Sequence, residues 1–143
     1  MKLFVFILAL LPICFMNAQT VKFEDKAAIL KVMTLQEKSW NDGNIDGFMK
    51  GYWKSEKLTF IGSSGINKGW ENTLARYKKA YPDKAAMGKL FFEVIEFEQL
   101  GELKIRMTGK WQLTRSDDVL NGYFTLIWEK IEGRWLITYD HSS

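Results

Sequence analysis

The chain has 143 residues, of which 47% are apolar and 15% aromatic, and its formal net charge is +3. This length suits a single domain with a substantial core and is too short for two ordinary domains. Charged residues are spread along the chain without a basic run that would follow a phosphate backbone, which argues against nucleic-acid binding. The aromatic content suits a core or a cavity lined with rings.

The first eighteen residues have the pattern of a secretory signal peptide. A positively charged start, Met1-Lys2, precedes an almost wholly apolar run, and Ala18 offers a small residue at a plausible cleavage point. The run is shorter than a bilayer-spanning helix requires, and no stop-transfer flank follows it, which argues against an uncleaved anchor. We therefore expect residues 1–18 to be removed. Residues 19–143 would then form one domain that is periplasmic or secreted and does not associate with the membrane.

Cys14, the only cysteine, lies in this segment. A lipid-attachment site favours a small residue before the cysteine, whereas Ile13 occupies that position here. Lipidation is therefore the less favoured alternative. After cleavage the protein has no thiol for a disulfide, a nucleophile or a metal ligand.

Three helices are predicted in the first part of the mature chain. Apolar residues recur at helical spacing over residues 23–41, with Asp25 as the expected cap. A shorter helix fits residues 45–52. A third helix fits residues 68–81, because large residues lie along one stripe and Pro82 ends the pattern.

Strands account for most of the remaining sequence. Residues 57–61 form a short predicted strand between the helices, followed by a turn at residues 62–65. Further along the chain the periodicity changes to two, which predicts strands at residues 90–97 and 103–114 and a closing hairpin at residues 122–143. We expect an α+β fold in which three N-terminal helices pack in a curved, mostly antiparallel sheet. Such a sheet forms a cone with an open mouth.

Three stretches carry a family resemblance: WNDGNIDGFMKGY at residues 40–52, FIGSSG at residues 60–65, and GYFTLIWEKIEGRWLITYDHSS at residues 122–143. With them the mature chain resembles the NTF2-like superfamily, and within it the SnoaL-like and DUF4440 proteins. The resemblance implies a cone-shaped barrel with a hydrophobic internal pocket, and a homodimer formed through the sheet. In the ketosteroid-isomerase branch an acid on the early strand or its turn acts as the base. Residues 58–63 contain no acid, so the chain departs from that branch.

The fold hosts enzymes and simple binding modules, so three hypotheses stay open. The first is an exported domain that binds a small apolar molecule in its pocket. The second is an enzyme for proton transfer, isomerisation or hydration that uses His141 with a carboxylate. The third is a dimeric interaction subunit with a vestigial pocket.

His141 is the only histidine, and an imidazole in an apolar pocket could act as a general acid or base. Strand alternation places Tyr139 and His141 on one face and Asp140 on the other, so an Asp140–His141 pair requires a bend. Otherwise His141 is a capping residue at the barrel mouth. Glu93 is the alternative carboxylate, and alternation places it on the face opposite Glu96. The favoured interpretation, however, places these glutamates on a solvated or dimer-facing surface.

The residues predicted to bind the ligand are His141 and the aromatic residues Trp40, Trp53, Phe60, Tyr77, Trp111 and Trp128. Other aromatic residues are expected to form the core. One histidine and no mature cysteine cannot build an ordinary zinc site, and no calcium loop or phosphate-binding glycine motif is present. The sequence therefore predicts neither a metal nor a cofactor.

Overall fold

Four α-helices and six strands make up residues 20–143, the part of the chain that this computed structural model describes. The predicted signal peptide, with Cys14, lies outside the described residues. In chain order the elements are α1 (Phe23–Asn41), α2 (Ile45–Phe48), a 3-10 turn (Met49–Gly51), β1 (Thr59–Gly62), β2 (Gly65–Lys68), α3 (Trp70–Ala80), α4 (Lys84–Met87), β3 (Lys89–Gly101), β4 (Lys104–Thr114), β5 (Val119–Ile131) and β6 (Arg134–Ser142). Within this described part, no helix has the length and apolar character needed to cross a membrane.

The six strands of this region form one sheet in the order β2-β1-β6-β5-β4-β3. β1 runs parallel to β6, and the other neighbouring pairs are antiparallel. Helix α1 packs against β3 and β6, across the inner face of the curled, unclosed sheet. The predicted α+β cone with a mostly antiparallel sheet is confirmed.

Several element boundaries differ from the prediction. The third helix is shorter at both ends than residues 68–81, and the second becomes a 3-10 turn after one helical turn. Strand β2 and helix α4 were not predicted. Each contains only four residues, which is too short for a periodic pattern, and β2 lies at the exposed edge of the sheet.

The expected capping role of Asp25 is corrected. Lys22 occupies the cap position of α1 and makes no side-chain cap bond. Asp25 instead accepts hydrogen bonds from Trp135 Nε1 at 2.9 Å and Lys130 Nζ at 3.1 Å. It thus joins the first turn of α1 to the β5–β6 hairpin.

One end of the cone is filled by core side chains. Ile29, Ile105, Met107 and Trp128 are fully buried there, on α1, β4 and β5. The inward residues of the same elements toward the other end line an open space instead. This open space at the second end is the candidate functional site.

The strand pairing within residues 20–143 has three register shifts, of which one skips Leu100 at the end of β3. The other two are β-bulges that reverse the alternation of side chains along β3 and β6. In β3 the pairing skips Ile95, because Val94 pairs with Gly109 and Glu96 with Thr108. In β6 it skips Thr138, since Trp128 pairs with Ile137 and Ile127 pairs with Tyr139. Each extra residue transfers all later side chains of its strand to the opposite face.

Candidate functional site

A cavity of about 790 Å³ lies between the helices and the inner face of the sheet. Exposed residues at its rim, among them Ser64, Lys79 and Ser143, show that it opens to the surface. Its volume falls in the range of small-molecule sites. The aromatic residues of its wall are Trp40, Phe48, Tyr52, Phe60, Tyr77, Tyr81, Phe92, Trp111 and Phe124.

The helical side of the cavity is a set of rings packed edge to face. The Trp40 ring lies 5.1 Å from that of Phe48 and 4.8 Å from that of Tyr81, between centroids. Tyr77 packs in the same manner against Phe48 and Phe60. Trp40 Nε1 also donates to the backbone oxygen of Met87, at 3.0 Å. These contacts hold the rings in place before any ligand arrives.

The sheet side of the cavity depends on Gly109 in β4. A Cβ atom at this position would lie 2.3 Å from Cζ of Phe124, so the absence of a side chain lets that ring approach the sheet. The ring of Phe92 then meets it edge-on, with the centroids 5.7 Å apart. We did not predict Gly109 as a site residue. The sequence feature that could have identified it is a glycine inside an otherwise alternating strand, which often marks a close approach by another group.

A polar cluster centred on Asp140 interrupts the apolar wall. Asp140 Oδ2 accepts a hydrogen bond from Tyr52 Oη at 2.7 Å, and Oδ1 accepts one from Ser142 Oγ at 2.6 Å. The Tyr52 hydroxyl also lies 3.4 Å from the Tyr77 hydroxyl. Tyr77, Tyr52, Asp140 and Ser142 therefore form a continuous hydrogen-bonded row along the wall.

Burial controls the protonation of this row. Asp140 is only 2% exposed, and its desolvation raises its pKa from 3.8 to about 6. The hydrogen bonds from Ser142 and Tyr52, and the charge of His141, lower that pKa without cancelling the effect of burial. Desolvation, followed by the charge of Asp140, raises the pKa of the Tyr52 and Tyr77 hydroxyls well above the ordinary value. Near neutral pH both tyrosines therefore keep their protons.

The bulge at Thr138 decides that Asp140 faces the cavity. Ile137 points inward, and regular alternation would have brought Tyr139 and His141 inward after it. Because the bulge adds one residue, Asp140 turns inward opposite Leu126, and His141 turns outward, where it is exposed. His141, a predicted ligand-binding residue, therefore does not line the cavity. Asp140 and His141 lie on opposite faces of β6 and form no dyad.

Glu93 also lies outside the cavity. The bulge at Ile95 places Glu93, Glu96 and Glu98 on the same outer face of β3, which corrects the predicted separation of Glu93 from Glu96. All three are exposed. Glu93 lies 3.7 Å from Lys110 Nζ in a surface ion pair.

The structure places four of the seven predicted ligand-binding residues on the cavity wall: Trp40, Phe60, Tyr77 and Trp111. Trp128 lies in the filled end of the cone and is fully buried. Trp53 borders a shallow depression with outward-facing residues of β5 and β6. His141, the seventh predicted residue, lies on the outer face of β6 and is exposed. Within residues 20–143, histidine, aspartate and glutamate form no group of three that could hold a metal ion.

Comparison with known proteins identifies the family. No protein-family model and no curated protein matches the chain. A crystal structure of an NTF-2 like protein of unknown function from Shewanella oneidensis MR-1 is 43% identical, with a TM-score of 0.80 over 83% of this chain and 98% of that one.

Two more distant structures share the fold alone. An NTF2-like protein of unknown function from Pseudomonas putida KT2440 has 15% identity and a TM-score of 0.68 over 87% of this chain and 89% of that one. A ketosteroid isomerase-like protein from Erwinia carotovora atroseptica SCRI1043 has 14% identity and a TM-score of 0.65 over 85% of this chain and 97% of that one. The finer resemblance to SnoaL-like and DUF4440 proteins stays a prediction. Because it is 43% identical to the Shewanella protein and has the same fold, the chain belongs to the NTF2-like superfamily.

Proposed function

We propose that the domain binds a small, largely apolar molecule inside its cone. The observation that carries this proposal is the open cavity of about 790 Å³ with its wall of packed aromatic rings. An apolar molecule entering it would leave water and meet surfaces that are already in position. Little ordering of the protein would oppose binding.

The polar row supports the idea that the cavity can accept a hydrogen-bond donor of the ligand. A buried carboxyl that accepts bonds from Tyr52 and Ser142 has lone pairs left for a ligand donor. A hydroxyl or amide group placed beside Asp140 would orient the apolar body between the rings. Such convergent polar groups are typical of pockets that select one ligand.

An enzyme is the second candidate, and Asp140 is the observation that favours it. A buried carboxyl with a pKa of about 6 can take up and return a proton near neutral pH. In this hypothesis Asp140 replaces His141 as the acid–base group, and the Tyr52 hydroxyl holds it in place. Asp140→Asn would then abolish turnover of a bound substrate while leaving its binding intact.

The interaction-subunit hypothesis has separate support on the outer face of the sheet. Phe91 on β3 and Tyr123 on β5 are 57% and 56% exposed there. This surface supports a homodimer formed through the sheet, and such a dimer is compatible with an occupied cavity. Export of the domain after removal of residues 1–18 likewise stays a proposal.

Binding can be tested with N-phenyl-1-naphthylamine, an uncharged probe whose fluorescence rises in apolar surroundings. Leu120 lines the cavity, whereas the preceding residue, Val119, is exposed. Leu120→Trp should obstruct the cavity and abolish the fluorescence rise, and Val119→Trp is the matched control that should retain it. Equal responses from both variants would mean that the probe binds the surface. In that case, or if wild type gives no rise, the proposal fails.

A further inference from the structure

The mouth of the cavity holds an arginine whose guanidinium is fixed in position. Arg76, on α3, lies over the Phe60 ring with its Cζ 4.9 Å from the ring centroid. Its Nη1 donates a hydrogen bond to Ser64 Oγ. Its Nη2 lies against the β1–β2 turn, only 2.8 Å from where a Cβ atom of Gly62 would stand. All four residues line the cavity.

This guanidinium has binding capacity that the chain does not use. Arg76 forms an ion pair with none of the carboxylates in residues 20–143, and its hydrogen bond to Ser64 occupies a single N–H. Arg115 provides the contrast, since it donates to both carboxylate oxygens of Asp118, at 2.6 and 2.5 Å. Arg115 therefore has its carboxylate within the chain, whereas Arg76, which lines the cavity, has none among residues 20–143.

Charged side chains of both signs line the cavity. Lys79 adds a second positive charge to the rim, and it too lacks an ion pair within the described part of the chain. Asp140 supplies a buried carboxyl to the wall. An anionic group is thus attracted at the rim and repelled by Asp140 when that residue is ionised.

We propose that the ligand is a monocarboxylic acid with a flat apolar body, whose carboxylate binds Arg76 at the mouth while its body lies among the aromatic rings. This inference rests on the proposed function and names its ligand class. The planar guanidinium matches the two oxygens of a carboxylate, and the Ser64 hydroxyl is close enough to assist. Dicarboxylic acids bind poorly, because Asp140, when ionised, repels the additional negative charge in the same cavity.

The test compares 2-naphthoate with its uncharged analogue 2-naphthamide by titration calorimetry at about pH 7.5. Wild type should bind naphthoate about tenfold more tightly than the amide, as expected for hydrogen bonds to charged groups. Arg76→Gln should remove that preference and leave amide binding unchanged. Lys78→Gln is the matched control, because it removes a positive charge from the same helix at a residue outside the cavity and should change neither affinity. Arg76→Lys keeps the charge but loses the planar fork, and should give an intermediate naphthoate affinity.

The results that would contradict the carboxylate contact differ from those that would contradict the proposed function. Equal binding of the two probes to wild type, or a loss of naphthoate binding in Lys78→Gln as large as in Arg76→Gln, would overturn the carboxylate assignment. Should Arg76→Gln fail to fold, full naphthoate affinity in Arg76→Lys would overturn the bidentate contact. A wild type that binds N-phenyl-1-naphthylamine but not naphthoate refutes only this inference. A wild type that binds none of the three probes refutes the proposed function as well.

Discussion

Replacing Asp140 with asparagine removes the ionisable group of the polar row with little change in shape. The amide oxygen can accept the hydrogen bond from Tyr52, and the amide nitrogen can donate to Ser142 Oγ. The wild-type carboxyl is 2% exposed, and burial raises its pKa from 3.8 to about 6. The variant therefore separates the effect of the charge from the effect of packing.

The sign of the pH dependence follows from that raised pKa. Between the two pKa values the folded protein holds a proton on Asp140 that the unfolded chain has released, so stability falls as pH rises through this window. A difference of about 2 pKa units corresponds to about 3 kcal/mol over the whole window. Of this, about 2 kcal/mol falls between about pH 4.5 and about pH 7.5.

The assay is urea unfolding followed by tryptophan fluorescence across that pH range, for wild type and for Asp140→Asn. We expect the free energy of unfolding of wild type, relative to the variant, to decrease by about 2 kcal/mol from the acidic to the neutral end. Asp118→Asn is the matched control. The hydrogen bond from Arg115 holds the pKa of Asp118 below its ordinary value, so Asp118 titrates below this pH range. The difference in unfolding free energy between wild type and Asp118→Asn should therefore not change with pH. A flat difference for Asp140→Asn as well would refute the burial argument.

Two further predictions concern the sheet. Gly109→Ala should destabilise the fold by about 2 kcal/mol, because the new methyl group collides with the Phe124 ring. Gly101→Ala should be nearly neutral in the same urea assay, because its new methyl group would lie 4.0 Å from Cβ of Lys104, an ordinary contact distance. Equal effects of the two substitutions would contradict the tight packing over Gly109. The second prediction is that the protein sediments as a dimer and that Tyr123→Asp on the outer face yields monomers, whereas Phe23→Asp, at an exposed site on α1, does not. A wild type that stays monomeric at every concentration would contradict the sheet-face dimer.

Local patterns predicted the elements with strong periodicity. The first helix occupies residues 23–41 as predicted, because its apolar spacing and the glycine after it are properties of neighbouring residues. The alternation predicted for residues 103–114 likewise agrees with the inward position of Trp111 in β4. It could not tell that Trp111 lines the cavity while Trp128 fills the closed end. Depth along the cone depends on how neighbouring strands are staggered, and that is a tertiary property.

The sequence alone therefore determined the family, the order of the long elements and an aromatic interior. Only the tertiary structure decided which titratable residue faces the cavity. A β-bulge arises from the pairing of two strands and leaves no reliable mark in the sequence of either one. A single skipped residue, Thr138, brought Asp140 inside and turned His141 to solvent. The position of Arg76 at the mouth likewise depends on α3 packing beside a turn that is twelve residues away in sequence.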